Sequence, residues 1–352
     1  MSLWYEMLTI IPTIDTEGVH GQRPFQQMVL GEVSGTDEGW GVYRLADIFT
    51  RHHIPATFFV DVYELSLWGE APLREVCARL GQRGFDVQLH THPGWRDDPH
   101  DFDWLRARKR EHSFLSQDKD FMAKLSAAQQ ADLLKHGMDL IETWTGKRPV
   151  AHRSGGYSIN EDTLKALRQV GLSLDSSMHW QHPHSEVTWS RNAVVEREGL
   201  IEIPVTLIDY VFSLPGAGVL YRKSMKTDLD TCSLSELLAY VDQARYCGIK
   251  VMNLFMHSYS LLEFDADYRR FRPEPRDDVK LNAFFSAVAE MDDVRVMDCA
   301  GLLDRYRDAP EEFEGPDLVP EIQVNAKIAM LGINKAWNMG HEAMRQMIRV
   351  GN

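Results

Sequence analysis

Leu8-Thr9-Ile10-Ile11-Pro12-Thr13-Ile14-Asp15-Thr16-Glu17-Gly18 is the stretch that decides the fold. Up to Ile14 it is apolar without strict alternation, the pattern of a strand covered on both faces, as in a parallel α/β sheet. It ends in two carboxylates one residue apart, Asp15 and Glu17. Side chains at i and i+2 of an extended segment point the same way, so both can be aimed into one place. Leu89-His90-Thr91-His92-Pro93 repeats the arrangement with two imidazoles, again closing an apolar run. Carboxylate and imidazole together suit zinc or another divalent ion. Either pair alone is ambiguous, since Asp-x-Glu is often a turn or cap and HxH is often packed histidine. The matching form of the two is what points to a metal.

Working outward from that first run, short apolar strands alternate with amphipathic helical stretches, which predicts a parallel α/β architecture. Strands are expected over Leu8–Asp15, Ala56–Val60, Val87–His92, Val150–Arg153, Ser173–Ser176, Ile201–Leu207, Val251–His257 and Val294–Asp298. Ser233-Leu234-Ser235-Glu236 reads as a capping box, opening a helix that runs to Cys247 and stops at Gly248. Leu133, Leu134, Met138 and Ile141 fall at helical spacing between Ser126 and Gly146, and Asn160 caps a further helix closed by Gly171. The expected fold is an irregular parallel (β/α) barrel of about seven strands. Three long stretches, Val19–Trp40, Gly94–Asp120 and Ser258–Pro275, leave strand ends and read as functional loops. Residues 1–308 are expected to form the catalytic domain. Residues 309–352 read as an acidic linker and a helical tail, Ala326 to Val350, that packs on the domain or on a second copy in a homo-oligomer.

The bulk composition narrows the function. With 352 residues, 44% of them hydrophobic, the chain can bury a substantial core. A net charge of −14 and a pI near 5.4 argue against nucleic acid as a partner, because phosphate binding leaves a basic footprint. No run is long and apolar enough to span a membrane, and the N-terminus lacks a signal-peptide pattern, so a cytoplasmic location is expected. The cysteines Cys77, Cys232, Cys247 and Cys299 lie far apart without metal-knuckle spacing and read as reduced thiols.

Active sites of parallel barrels sit at the rim formed by the strand C-termini. Asp15, Glu17, His90, His92, Arg153, Asp175 and His257 all fall at or just past such ends. Taken singly, Arg153 reads as a surface ion pair, Asp175 as a turn cap, and His257 as core or catalysis equally. Together they supply donors for a catalytic ion with an open position, for which hydrolysis is the natural chemistry.

The order of these motifs resembles the polysaccharide deacetylase, or NodB-homology, superfamily of metal-dependent amide and ester hydrolases. The similarity runs over roughly residues 8 to 305. Ile11-Pro12-Thr13-Ile14-Asp15-Thr16-Glu17 resembles the first motif, Pro55-Ala56-Thr57-Phe58-Phe59-Val60 the second strand, and Leu89-His90-Thr91-His92-Pro93 the histidine motif. His152-Arg153-Ser154-Gly155-Gly156-Tyr157 is similar to the arginine motif, Leu174-Asp175-Ser176-Ser177 to the aspartate motif, and Asn253-Leu254-Phe255-Met256-His257-Ser258 to the last. The resemblance implies Asp15 as catalytic base, Glu17, His90 and His92 as metal ligands, and Arg153 as the partner of Asp15. It implies Asp175 as a residue tuning Arg153 or His257, His257 as general acid, and zinc as the expected ion. Gly156, through its backbone N–H, and Tyr157 would meet the acyl oxygen and substrate.

Two departures stand out. The family's first motif commonly has adjacent aspartates, whereas Thr16 separates Asp15 from Glu17. Its histidines are usually four apart, yet residue 94 is Gly, so His92 is a compressed second ligand that His100 or His112 could replace. Trp95 could stack on a sugar ring or pack within its loop, and His179-Trp180-Gln181-His182-Pro183-His184 reads as solvated loop with pocket lining as the alternative. The expected activity is removal of an acyl group, N-acetyl first, from a saccharide or saccharide conjugate. Allantoinase-type or deformylase C–N hydrolysis and a non-catalytic saccharide-binding protein are the alternatives. Amidohydrolase and phosphoesterase barrels fit less well, because they carry HxH on their first strand.

Overall fold

In the computed structural model, residues 7–18, 25–33, 39–93, 121–264 and 271–324 are described. β1 (Leu8–Thr16) is buried from end to end. The strands that follow are β2 (Thr57–Asp61), β3 (Asp86–Thr91), β4 (Ala151–Ser154), β5 (Leu174–Asp175), β6 (Val195–Arg197) and β7 (Leu200–Glu202). Beyond these come β8 (Leu207–Leu214), β9 (Gly218–Lys226), β10 (Val251–His257), β11 (Leu262–Phe264), β12 (Phe271–Pro273), β13 (Val294–Val296) and β14 (Glu321–Gln323). Seven strands run parallel in the order β10-β1-β2-β3-β4-β5-β7, as the alternating pattern predicts. β6 adds an antiparallel edge, and β13 pairs with the start of β1. Pro12 falls between the β13 register (Leu8–Ile10) and the β2 register (Thr13–Thr16), where a missing N–H costs the sheet least.

The sheet curls, and its β10 edge is closed by irregular chain rather than by a further strand. Phe255 N donates to Thr227 O, Thr227 N to Thr206 O, and Val205 N to Met178 O. The strand expected over Ile201–Leu207 is divided for a local reason. β7 ends at Glu202, and Pro204, which has no N–H to donate, precedes the new strand starting at Leu207. That new strand forms a hairpin with β9, and β14 pairs parallel to β8. No expectation covered this three-stranded sheet.

The helices follow their sequence punctuation. Ser126 and Gln129 form a capping box for Ala127–Thr145, Asn160 and Thr163 one for Glu161–Val170, and Ser233 and Glu236 one for Leu234–Cys247. Gly146, Gly171 and Gly248 close them in the left-handed conformation that costs glycine least. The stretch expected as an acidic linker is packed where it is described. Phe313 is buried, Glu312 pairs with Arg295, and Glu321–Gln323 joins the sheet. The expected helix over 326–350 lies outside the described residues. No described helix is long and apolar enough to cross a membrane.

Candidate active site

The ends of β1 and β3 bring Glu17, His90 and His92 together. Their donor atoms lie within 4.8 Å of one another, and all three residues are buried. Glu17 Oε2 is 3.2 Å from His90 Nε2 and 2.8 Å from His92 Nε2. The spacing of i and i+2 thus does what the sequence suggested, and the compressed HxH brings both rings to one carboxylate. Burial works against ionisation of Glu17, but the charges and hydrogen bonds of His92 and His90 hold its carboxyl well below the usual range. His90 Nδ1 lies 2.8 Å from the Arg153 carbonyl oxygen. That bond places a ring proton on Nδ1, so Nε2, the nitrogen facing Glu17, is the one that would take a metal. Two imidazole nitrogens and a carboxylate therefore fit a divalent ion of the zinc type.

Beside this triad stands Asp15, whose Oδ2 is 3.9 Å from His90 Nε2. Arg153 Nη1 donates to Asp15 Oδ1 at 2.8 Å and to Thr13 Oγ1 at 3.0 Å. Its Nε donates to the Ser176 carbonyl and its Nη2 to Ser176 Oγ. The guanidinium carbon lies 4.4 Å from the centroid of Phe59 and 4.7 Å from that of Phe255. Arg153 is fully buried, which a cation tolerates only when its hydrogens are used and its faces covered. Thr13 in turn donates to Asn253 Oδ1, and Asn253 Nδ2 to Ser176 Oγ. The reading of Arg153 as a lone surface ion pair is overturned: it is the buried hub of a network fixing Asp15.

His257 pairs across the ladder with Asp15, since β1 and β10 place the two residues in register. Its Nδ1 is 3.4 Å from Asp230 Oδ2, and its ring stacks on Tyr259 at 4.8 Å and 14°. Burial is the largest influence and acts to lower its pKa, as does nearby Lys226, but Asp230 and then Asp15 together raise it above the ordinary histidine value. Asp230 was not anticipated. It sits in the connection after β9, where no periodic pattern marks it.

Asp175 does not take the place expected for it. The expected contact with Arg153 or His257 is replaced by His152, whose Nδ1 lies 2.7 Å from Asp175 Oδ1, and by Ser177. Strand alternation explains the difference: neighbouring His152 and Arg153 point to opposite faces, and Asp175 is the ladder partner of His152. The far nitrogen of His152 is 2.9 Å from Thr91 Oγ1, so this pair braces β3, β4 and β5.

Gly155-Gly156-Tyr157 leaves β4 in a tight turn, with Gly156 and Tyr157 both at φ +58°. His179 and His182, expected to be solvated, have ring centroids 4.9 Å from that of Tyr157, and His182 is 5.1 Å from His184. Burial pushes His179 down to about 4. Asp61 and Glu64, missed in the sequence, are buried near Glu17 and His92. Burial raises Asp61 well above the carboxylate range and Glu64 to about 8. Trp95, His100 and His112 lie outside the described residues.

Residues 36–174 match the polysaccharide deacetylase family. The peptidoglycan deacetylase-like protein FGM2 of Gibberella zeae is 36% identical over 67 residues, a match spanning 19% of this chain and 19% of that protein. Among solved structures, a Mycobacterium smegmatis protein assigned to the polysaccharide deacetylases superposes with a TM-score of 0.58 at 18% identity, over 92% of this chain and 97% of its own. The PuuE allantoinase superposes with a TM-score of 0.52 at 13% identity, over 86% and 90% respectively. At these identities the structural likenesses are likenesses of fold.

Proposed function

We propose that this chain, a member of the polysaccharide deacetylase superfamily, is a metal-dependent hydrolase that removes an acyl group, N-acetyl first, from a sugar or sugar conjugate. The observation that carries this reading is the adjacency of two units: the Glu17–His90–His92 donor set and an Asp15 fixed by Arg153. Glu17, His90 and His92 would hold the ion, with zinc the expected one, and it would supply Lewis acidity to the acyl oxygen and the attacking water. Asp15 takes the proton of that water. Arg153 fixes Asp15 in direction, because its Nη1 donates to one carboxylate oxygen and leaves the other toward the donor set. The Gly156 N–H would serve as a backbone donor to the acyl oxygen, stabilising developing negative charge. His257, kept protonated by Asp230, gives its proton to the leaving nitrogen.

Metal analysis of the purified chain and a screen of acetate and formate release from N-acylated sugars test the reading. Stoichiometric metal is expected, with turnover falling roughly 10²–10⁴-fold in Asp15→Asn while metal content is kept. A metal-loaded protein whose turnover is indifferent to Asp15→Asn would exclude the mechanism. Binding of saccharide with no release of acid would leave only a non-catalytic binder.

A further inference from the structure

Lys226, the last residue of β9, is marked by no sequence pattern, yet it stands at the same rim. Its Nζ lies 2.7 Å from Asp228 Oδ2 and donates to the Tyr157 hydroxyl at 3.1 Å. It also lies 3.8 Å from the centroid of Phe255, the ring that covers one face of the Arg153 guanidinium. An ammonium has three hydrogens and no lone pair. Asp228, Tyr157 and the face of Phe255 use all three. Lys226 is therefore a fixed part of the rim and has no donor left for a ligand.

The consequence falls on Tyr157. A hydroxyl that accepts from a donor-only group must direct its own proton elsewhere. No acceptor for that proton is found among the described residues. The phenol is half-buried against the rings of His179 and His182, and burial pushes its pKa up, so the proton stays on the oxygen. Its left-handed backbone places it two residues beyond Gly155, the glycine against the His92 ring. A strained conformation of that kind persists where the surroundings over-determine it. The Lys226 bond and the two imidazole rings are such surroundings.

We propose that the Tyr157 hydroxyl is a one-way hydrogen-bond donor to the substrate, toward an oxygen with no proton to give, and that Lys226 is the positioning residue that sets its direction. The acceptor is a carbonyl or carboxylate oxygen close to the scissile bond. The inference rests on the deacylase reading for the location of the substrate.

The test uses the metal-loaded full chain and two N-acetylated sugars that differ in whether they carry a carboxylate. Tyr157→Phe is expected to lower kcat/KM by about tenfold, the worth of one hydrogen bond of roughly 1.4 kcal/mol. Equal loss on both sugars places the acyl carbonyl at Tyr157, and loss confined to the carboxylated sugar places the carboxylate there. Lys226→Met is expected to lose a similar factor. The Lys226→Met/Tyr157→Phe double variant should lose no more than Tyr157→Phe alone, and Lys226→Arg should recover most of the activity. Because Lys226→Met strands the buried Asp228, Lys226→Met/Asp228→Asn serves as the variant that folds without an orphaned carboxylate. A Tyr157→Phe enzyme within about twofold of the parent, or losses that multiply in the double variant, would overturn the proposal. An active parent with those results removes this inference alone. A metal-loaded parent with no turnover on any acylated saccharide removes the deacylase reading and this inference with it.

Discussion

The imidazole of His92 rests against Gly155 so closely that a Cβ on that glycine would come within 2.3 Å of two ring atoms, Cε1 and Nε2. The second proposed histidine ligand therefore depends on the absence of a side chain 63 residues later in the sequence, by the numbering of the two positions. Gly155→Ala should push the ring from Glu17 and weaken metal affinity by about 10–100-fold, the range seen when a ligand's support is lost. Competition with a chromogenic chelator measures this directly, and an unchanged affinity would mean that the His92 position is not the metal-bound one.

Arg153 and Asp15 form a buried pair, and breaking it from one side leaves a charge without its partner. Arg153→Met is expected to cost about 3–5 kcal/mol in urea unfolding, because buried Asp15 and Ser176 lose their partner. Adding Asp15→Asn to it should recover part of the loss, while turnover stays low in both. A cost below that of an ordinary surface substitution would contradict the buried-hub reading.

His257, the acid of the proposed mechanism, sets the expected pH dependence. As an acid it must be protonated, so turnover should fall as pH rises through its folded pKa, and that limb should lie above the ordinary histidine range. Asp230→Asn removes the carboxylate responsible and should move the limb to lower pH. The linked stability has the same sign: the raised pKa stabilises the fold fully below the unfolded histidine value of about 6.5 and is lost as pH climbs through the folded value. An alkaline limb that does not move in Asp230→Asn would assign it to another group.

Metal binding should also register as stability. An ion that binds only the folded chain at about 1,000 times its Kd adds roughly 4 kcal/mol, so zinc should raise the melting temperature and a chelator should reverse it. Glu17→Gln should abolish most of that shift, and it should also lower the melting temperature of the metal-free protein, since the pairing of the carboxylate with His90 and His92 is lost. A shift that survives Glu17→Gln would place the ion elsewhere.

The legible parts of this molecule are those in which a single short segment carries its own meaning. β1 announces a doubly covered strand, Asp15 and Glu17 share a face by spacing alone, and Ser233, Asn160 and their closing glycines delimit helices locally. Asp175 was misplaced because its partner is set by ladder register, a pairing between strands that no single segment contains. Lys226 and Asp230 were invisible for a related reason. Lys226 ends the β8–β9 hairpin, where Leu214, Val219 and Leu220 are exposed, so the hydrophobic pattern carries no clean core-facing alternation to flag the element, and Asp230 lies in the connection that follows.

The alignment of Asp15 with His257 joins the first strand of the sheet to one formed more than two hundred residues later. The three donor atoms, by contrast, all come from the first 92 residues. The candidate donor set is built across β1 and β3 and steadied from β4 by the Arg153 carbonyl and by Gly155. The proposed acid meets the proposed base only through the β1–β10 ladder. Loosening that seam would part acid from base without touching a donor atom.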